Sequence, residues 1–374
     1  MEVKAMTLLL SESDVQGLLS MDECIATLEE VYRELASGEA QNIPRGRIRF
    51  MANKETDAGY LFNCIPGASR RLGICAVRLD SESRYVDKLS ERAHGGPTRN
   101  HRHCGLIFLF SIETGELIAI LPDYTVSGIR VGATSALATK YMAREDARRV
   151  AIFGSGKQAR ANLAGICAVR KIQSVKVYSP NSEHRVAFAE EMTEALDLEI
   201  VPVANPAETT VDADIVIAAT NAVNPVFEGT TLKPGMHVVS IVGSDKFAPE
   251  MHGVPRREID ETTLKKADVI VVHLLDQIRI DQQGDIYRLL EAGSLSWNQI
   301  NELPQVITGV VPGRKSAEQI TFFYNNTGTG IQFAAAGWHI LERAKALGRG
   351  REIPTDWFTT DTSANAHKGF YSSP

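Results

Sequence analysis

Three textures of apolar positions follow one another along the chain. In the first forty residues Ile25, Leu28, Val31, Tyr32 and Leu35 recur at helical intervals behind Ser20-Met-Asp-Glu23. That hydroxyl and acid three residues apart form a capping box, and Gly38 supplies a stop, so this opening stretch reads as helical. From residue 43 to about 121 the apolar positions alternate or form short runs, at 47–50, 59–62, 74–77 and 105–110, which predict strands of a mixed or antiparallel sheet. The polar stretch 81–104, with its Arg, His, Gly and Pro residues, reads as a long loop of the kind that carries function. Six apolar, mostly β-branched runs come next, at 150–153, 175–178, 199–203, 214–219, 237–242 and 268–272. Near-continuous apolar strands separated by crossover-length segments are the mark of a parallel sheet covered by helices on both faces. Finally Ile331, Ala334, Trp338, Leu341 and Ala344 trace one helix face that ends near Gly348. The two flanks are poor domains by themselves and are expected to pack together. The pattern predicts an α/β fold with a doubly wound parallel sheet at 129–321, inserted in a discontinuous α+β domain of 1–128 plus 322–374.

Composition narrows the partners. The 374 residues carry 40 Lys+Arg against 46 Asp+Glu, a net charge of −6. An acidic chain with a pI near 5.9 is not built primarily to grip nucleic acid. No apolar run approaches membrane-spanning length, and the start MEVKAMTLLLSES is too short in apolar residues for a secretory signal. Five cysteines, odd in number and without C-x-x-C spacing, suit reduced thiols. The expectation is a soluble cytoplasmic protein whose partner is a small molecule.

One loop specifies the ligand class. Gly154-Ser155-Gly156-Lys157-Gln158-Ala159 follows the run 149–153 and precedes a helical pattern. In such a loop Gly154 permits the tight turn, Gly156 lets backbone approach a pyrophosphate, and small Ala159 allows close helix–strand packing. The pyrophosphate then meets free N–H groups at the positive end of the helix. A second strand at the right distance supplies the context that the bare motif lacks. At that strand's tip an acid would accept from the 2′-hydroxyl of NAD and repel a 2′-phosphate. Here Ser179, Asn181 and Arg185 stand instead, which favours NADP(H) over NAD(H).

With this loop in place, segments along nearly the whole chain resemble the ornithine cyclodeaminase/mu-crystallin family. The run Ser127-Gly-Ile-Arg130-Val-Gly-Ala133 is similar to that family's Thr-x-x-Arg-Thr-Ala-Ala, and Gly154 to Ala159 to its Gly-x-Gly-x-Gln-Ala. Val242-Gly-Ser-Asp245, Arg257-Glu-Ile-Asp260, Asn326-Thr-Gly328-Thr-Gly330 and Pro44-Arg45 resemble further family segments in order. The resemblance implies a Rossmann domain inside a substrate-binding and dimerisation domain, and a bound nicotinamide. It also implies imine reduction, amino-acid dehydrogenation or cyclodeamination as the chemistry, and a homodimer. Carried over residue by residue, it gives carboxylate-binding arginines at Arg45 and Arg130 and a catalytic aspartate at Asp245. Three departures matter: Arg78 stands where the family has lysine, Val131 where it has threonine after the arginine, and Gln332-Phe333 where it has an acidic pair.

Arginine is a poor proton shuttle but an excellent carboxylate fork. Arg78 therefore counts as a third candidate at the reacting end, and Arg130 stands out as a large cation inside a run of small residues. Asp245 follows the fifth parallel strand, at the edge where doubly wound sheets bind ligands, and Thr220-Asn221 follows the fourth. His101-Arg-His103-Cys104 lacks a fourth ligand, so no metal is expected; a substrate contact by Arg99 or His103 ranks above a metal, and a merely solvated loop above both. Arg314-Lys315 reads as an exposed turn. The leading expectation is an oxidoreductase that reduces an imine of a 2-oxo acid or oxidises an amino acid. An ornithine cyclodeaminase-type lyase and a non-catalytic NADPH-binding protein are the alternatives.

Overall fold

In the computed structural model, residues 5–53, 58–86, 95–98, 104–242 and 256–360 are described, with 50–53, 58–59, 83–86 and 95–98 as backbone alone. Two sheets organise the chain. The first holds β1 (Met6–Leu9), β2 (Ala40–Asn42), β3 (Gly46–Asn53), β4 (Ala58–Ser69), β5 (Ile74–Val86), β6 (Gly95–Thr98), β7 (Cys104–Ser111), β8 (Leu117–Pro122) and, far along the sequence, β17 (Arg351–Pro354). Its order is β17-β1-β8-β7-β5-β4-β2, with β3 also on β4 and β6 also on β5. Only β1 and β8 run parallel; the other pairs are antiparallel. The opening stretch thus corrects the helical expectation, because residues 6–9 form a strand beside β8. The capping box does form: Ser20 N–H donates to Glu23 Oε2 at 2.9 Å at the head of the helix Met21–Ser37, and Gly38 closes that helix at φ 79°. The loop expected at 81–104 is shorter than that range, since β5 continues to Val86 and β6 pairs with it.

The second sheet is parallel throughout and has eight strands: β9 (Arg149–Phe153), β10 (Ser174–Tyr178), β11 (Ile200–Pro202), β12 (Ile215–Ala218), β13 (His237–Ser240), β14 (Val269–Val272), β15 (Ile300–Glu302) and β16 (Thr321–Tyr324). Its order is β11-β10-β9-β12-β13-β16-β14-β15. Strand β16, absent from the six runs above, enters between β13 and β14, so residue 322 lies inside this sheet. Residue 128 likewise lies inside the helix Tyr124–Met142, which continues from β8 onto the second sheet. Strand order reverses direction between β9 and β12, and the loops leaving their carboxyl ends diverge to open a crevice. Arg314, expected in an exposed turn, is half-buried and donates to the carbonyls of Met142 at 2.7 Å and Gly235 at 3.2 Å, tying the segment before β16 to those before β9 and β13 at the amino end of the sheet.

The two sheets share one core. Ile65, Ile74, Ala76, Ile107, Leu109, Ala119 and Leu121 cover the inner face of the first sheet and are buried with Phe333, Ala334 and Leu341 of the helix Gly330–Ala346 and Leu28 and Val31 of Met21–Ser37. A close joint lies between Tyr124–Met142 and the helix Lys157–Val169. A Cβ on Gly132 would stand 2.1 Å from the Ala161 carbonyl oxygen, and one on Gly165 would stand 2.6 Å from that of Gly132. These helices touch backbone to backbone. Gly132→Val should therefore destabilise the protein by about 1–3 kcal/mol, as overpacking of a rigid contact does, and the urea midpoint measures it. An unchanged midpoint would mean that the crossing has slack.

Candidate functional site

A cavity of about 1140 Å³ opens along the carboxyl edge of the second sheet. Its wall at one end is the glycine loop. Gly154 has φ 107°, and a Cβ there would meet the Ala219 carbonyl oxygen at 2.3 Å, so the turn itself demands glycine. Gly156 is different: its φ of −91° suits any residue, and a Cβ there would meet nothing within 4 Å. The space before Gly156 belongs to the cavity and is room for something outside the chain. Gly156 caps the helix Lys157–Val169 without a side-chain hydrogen bond, which leaves the first-turn N–H groups to an anion. Ala159 is wholly buried at the helix–strand contact. These features fit a dinucleotide pyrophosphate.

Ser155, Lys157, Gln158, Ser179, Asn181, Thr220 and Asn221 all line the same cavity, as expected from their positions after β9, β10 and β12. Arg185 does not. Its guanidinium donates to the Ser179 carbonyl at 3.0 Å and so braces the loop after β10 instead of facing the ligand. His184, one residue earlier, lines the cavity in its place. Nothing in the sequence separated the two, because which side of a first helical turn faces the crevice depends on how that helix docks. Asn181 caps the helix Ser182–Leu196 by accepting from His184 N–H at 2.9 Å, so the side chain that faces the cavity also fixes the loop.

At the other end stand Arg45 and Arg130. Arg130 is 8% exposed and projects from the middle of Tyr124–Met142, where its Nη1 donates to Gln332 Oε1 at 3.2 Å and its guanidinium lies 5.2 Å from the Phe333 ring centre. Burial, then repulsion from Arg78, pushes its pKa down to about 10. Arg45 comes from the connection before β3 and is anchored twice across the cleft. Its N–H donates to Gln277 Oε1 at 2.7 Å, and its guanidinium lies 3.5 Å from Asp281 Oδ2, a carboxylate it shares with Arg47. Gln277 and Asp281 were not singled out in the sequence, since an anchor that crosses between two sheets leaves no local pattern.

Arg78 corrects its expected role. Its Nε donates to Asp123 Oδ2 at 2.6 Å and its Nη1 lies 3.1 Å from Asp80 Oδ2. With its donors engaged by two buried carboxylates, and absent from the cavity wall, it is held as a structural ion triad and not presented as a carboxylate fork. Glu258, inside the Arg257-Glu-Ile-Asp260 segment, proves to be a buried clamp. It accepts from Thr220 N–H, from Ser240 Oγ at 3.0 Å and from Val242 N–H at 3.2 Å, joining the ends of β12 and β13. Burial raises its pKa against those hydrogen bonds. Asp245, Arg99, His101 and His103 lie outside the described residues. Among the described residues that line the cavity there is no carboxylate, while Arg45, Arg130, Lys157 and Arg256 all contribute to its wall. Such a wall suits a polyanion.

Known proteins share this fold. The sequence profile of the ornithine cyclodeaminase/mu-crystallin family matches residues 5–348. A Delta(1)-pyrroline-2-carboxylate reductase of Bacillus cereus is 30% identical over 347 residues, 92% of this chain and 99% of that protein. The solved structure of Thermococcus litoralis Delta(1)-pyrroline-2-carboxylate reductase in complex with NADH and L-proline is similar at a TM-score of 0.79 and 30% identity, covering 93% of this chain and all of that one. An archaeal alanine dehydrogenase dimer with bound NAD gives 0.77 at 27% identity, covering 93% and 99%.

Lys157 yields a pH prediction. Its ammonium lies 3.3 Å from the Tyr124 ring centre, and burial pushes its pKa down from 10.5 to about 8, with Asp123 and Glu12 pulling the other way. An anionic ligand at the glycine loop raises that pKa again, so binding takes up a proton. Cofactor affinity should therefore be highest below pH 8 and weaken as pH rises through it. In Lys157→Met that slope should vanish, as titration calorimetry across the range would show; a slope that survives assigns it to another group.

Proposed function

The chain belongs to the ornithine cyclodeaminase/mu-crystallin family and is an NAD(P)-dependent oxidoreductase; we propose that it reduces the C=N bond of a 2-imino acid, or in reverse oxidises the amino acid. The observation that carries this reading is a cavity with a pyrophosphate cradle at one end and two arginines at the other, Arg45 from the connection before β3 and Arg130 from the helix Tyr124–Met142. When bound, the dinucleotide supplies or accepts the hydride. The chain's residues do the rest. Arg45 and Arg130 hold the substrate carboxylate, bidentate geometry fixing which face of the C=N group is presented. Reduction also requires a proton at nitrogen, and we assign that proton to Asp245, just beyond the end of β13. The Arg78–Asp123–Asp80 triad and Glu258 keep the surrounding elements in register.

We assign the 2′-phosphate form as the preferred cofactor. Ser179, Asn181 and His184 line the cavity beyond β10 with hydroxyl, amide and imidazole, and no acid is among them to repel a phosphate. Asn181→Asp should reduce the NADPH-to-NADH preference in kcat/KM by about tenfold or more; an unchanged ratio would place the 2′-position elsewhere.

We infer a homodimer formed through the outer face of the first sheet. On β5, β7 and β8 the residues that alternate with the core are Val77, Leu79, Leu106, Phe108, Phe110, Ile118 and Ile120, half-exposed and apolar where a solvated face would be polar. A second copy presenting the same face covers it symmetrically. Phe108→Asp should shift the sedimentation coefficient to that of a monomer; a wild-type protein that already sediments as a monomer sinks the inference.

The decisive assay follows nicotinamide absorbance together with product, using NADPH and Δ1-pyrroline-2-carboxylate, 2-oxo acids with amines, and ornithine. Cofactor oxidised in step with amino acid formed is the expected result. Ammonia and a cyclic product from ornithine with no net absorbance change would overturn it in favour of a cyclodeaminase.

A further inference from the structure

Two arginines lie side by side in the core, both within 6 Å of the Phe333 ring centre, at 5.9 Å for Arg78 and 5.2 Å for Arg130. Their compensation differs completely. Arg78 is paired with two carboxylates. Among the described residues Arg130, equally buried, has no carboxylate within ion-pair distance and no acceptor for its Nε; its guanidinium donates to the amide oxygen of Gln332. Burying an ionised group beside a neutral one is costly and needs a reason.

The amide is also held in one orientation, and each link forces the next. The Thr327 carbonyl can only accept, so the His273 Nδ1 that lies 2.6 Å from it carries the ring proton. Burial pushes the His273 pKa down to about 4, so the ring is neutral and its Nε2 is an acceptor. Tyr32 O–H, 2.7 Å from that Nε2, must then donate to it, which leaves the phenolic oxygen to accept from Gln332 Nε2 at 3.0 Å. Thr134 Oγ1 accepts the second amide proton at 2.5 Å and spends its own on the Arg130 carbonyl at 2.8 Å. Both N–H bonds of Gln332 are therefore assigned, and Oε1 is turned toward Arg130 and the Thr329 N–H, 3.0 Å away. Gln332 positions the guanidinium without neutralising it.

We propose that Gln332 is the specificity-determining residue of the carboxylate site, reserving the full charge of Arg130 for the substrate's anion. This rests on the assignment of Arg130 as a substrate-carboxylate ligand. A glutamate at this position would accept the same hydrogen bond from Arg130 but supply the missing negative charge, and it would lose the donations to Tyr32 and Thr134. The site would then compete with its own internal counter-ion. Among the described residues no carboxylate stands within ion-pair distance of Arg130, so the substrate's anion meets its full charge, and the site discriminates by charge between a carboxylate and a neutral group of the same shape.

The test compares binding of pyrrole-2-carboxylate and pyrrole-2-carboxamide to the NADP-loaded protein by calorimetry. The two probes share a planar ring and differ in charge. The wild-type protein should prefer the carboxylate by roughly 10–100-fold, the range of a charge-assisted hydrogen bond. In Gln332→Glu that preference should collapse to within about threefold, with cofactor affinity unchanged as the control for folding. In Gln332→Met, which removes the hydrogen bond but adds no charge, the preference should persist. A folded Gln332→Glu that keeps the wild-type preference overturns the proposal while leaving the Arg130 assignment intact. A wild-type protein without preference overturns both. Should Gln332→Glu fail to fold, Gln332→Met alone decides: loss of the preference there would mean that Gln332 acts by geometry and not by charge.

Discussion

The contact on which the site depends is the crossing of two helices with no side chain between them. Gly132 and Gly165 let Tyr124–Met142 and Lys157–Val169 approach until backbone oxygens fill the space where Cβ atoms would stand. One helix carries Arg130 half a turn before the crossing, and the other begins at the pyrophosphate cradle two turns before it. The separation between the two ends of the cavity is therefore set by main chain, which does not change rotamer. A second crossing fixes the third component: a Cβ on Gly330 would lie 2.0 Å from the Pro66 carbonyl carbon, so the start of the helix that carries Gln332 is seated directly on β4. Hydride transfer demands placement to a fraction of an ångström, and rigid elements in direct contact supply it better than loops do.

Around this frame the chain solves the problem of burying several guanidinium groups near one cavity in three different ways. Arg78 is closed into a triad with Asp123 and Asp80. Arg45 shares Asp281 with Arg47. Arg130 receives an amide and, among the described residues, no carboxylate. The gradation follows position relative to the cavity: full pairing behind its wall at Arg78, a shared carboxylate at Arg45, and an amide alone among the described residues at Arg130. Glu258 is the mirror case, a buried carboxylate that among the described residues accepts from N–H and O–H donors, and it joins the ends of β12 and β13 at the cavity.

What the residue pattern revealed, and what it hid, divide along the range of the interaction concerned. The glycine loop is legible because turn, cradle and helix start are consecutive, and Arg130 is legible because a long cation is conspicuous in a run of small residues. The doubly wound sheet and the family were readable for the same reason, each resting on local runs repeated in order, and both are borne out. Strand β16 carries as apolar a run as its neighbours, yet its place between β13 and β14 depends on a return of the chain that local periodicity does not encode. Arg78 looked like a fork for substrate because its partner Asp123 lies 45 residues away, and no spacing rule links them. Arg185 and His184 are adjacent in sequence, and only the docking of Ser182–Leu196 decides which one faces the crevice.

The same reasoning explains why the departures from the family pattern matter more than the matches. A matching glycine loop says that a dinucleotide fits; it leaves the reaction open, because the same cradle serves dehydrogenases, reductases and cyclodeaminases. Arg78 and Gln332 depart from the family pattern in different ways. A cation is retained at 78 but locked behind carboxylates, so it adds nothing to proton transfer. At 332 an amide places a hydrogen-bond acceptor before Arg130 and withholds a charge. Together they leave a site with a strong, oriented demand for one carboxylate and no described acid positioned to greet a distal ammonium. That is the electrostatic profile of an enzyme that grips its substrate by the carboxyl end and reads the remainder by shape.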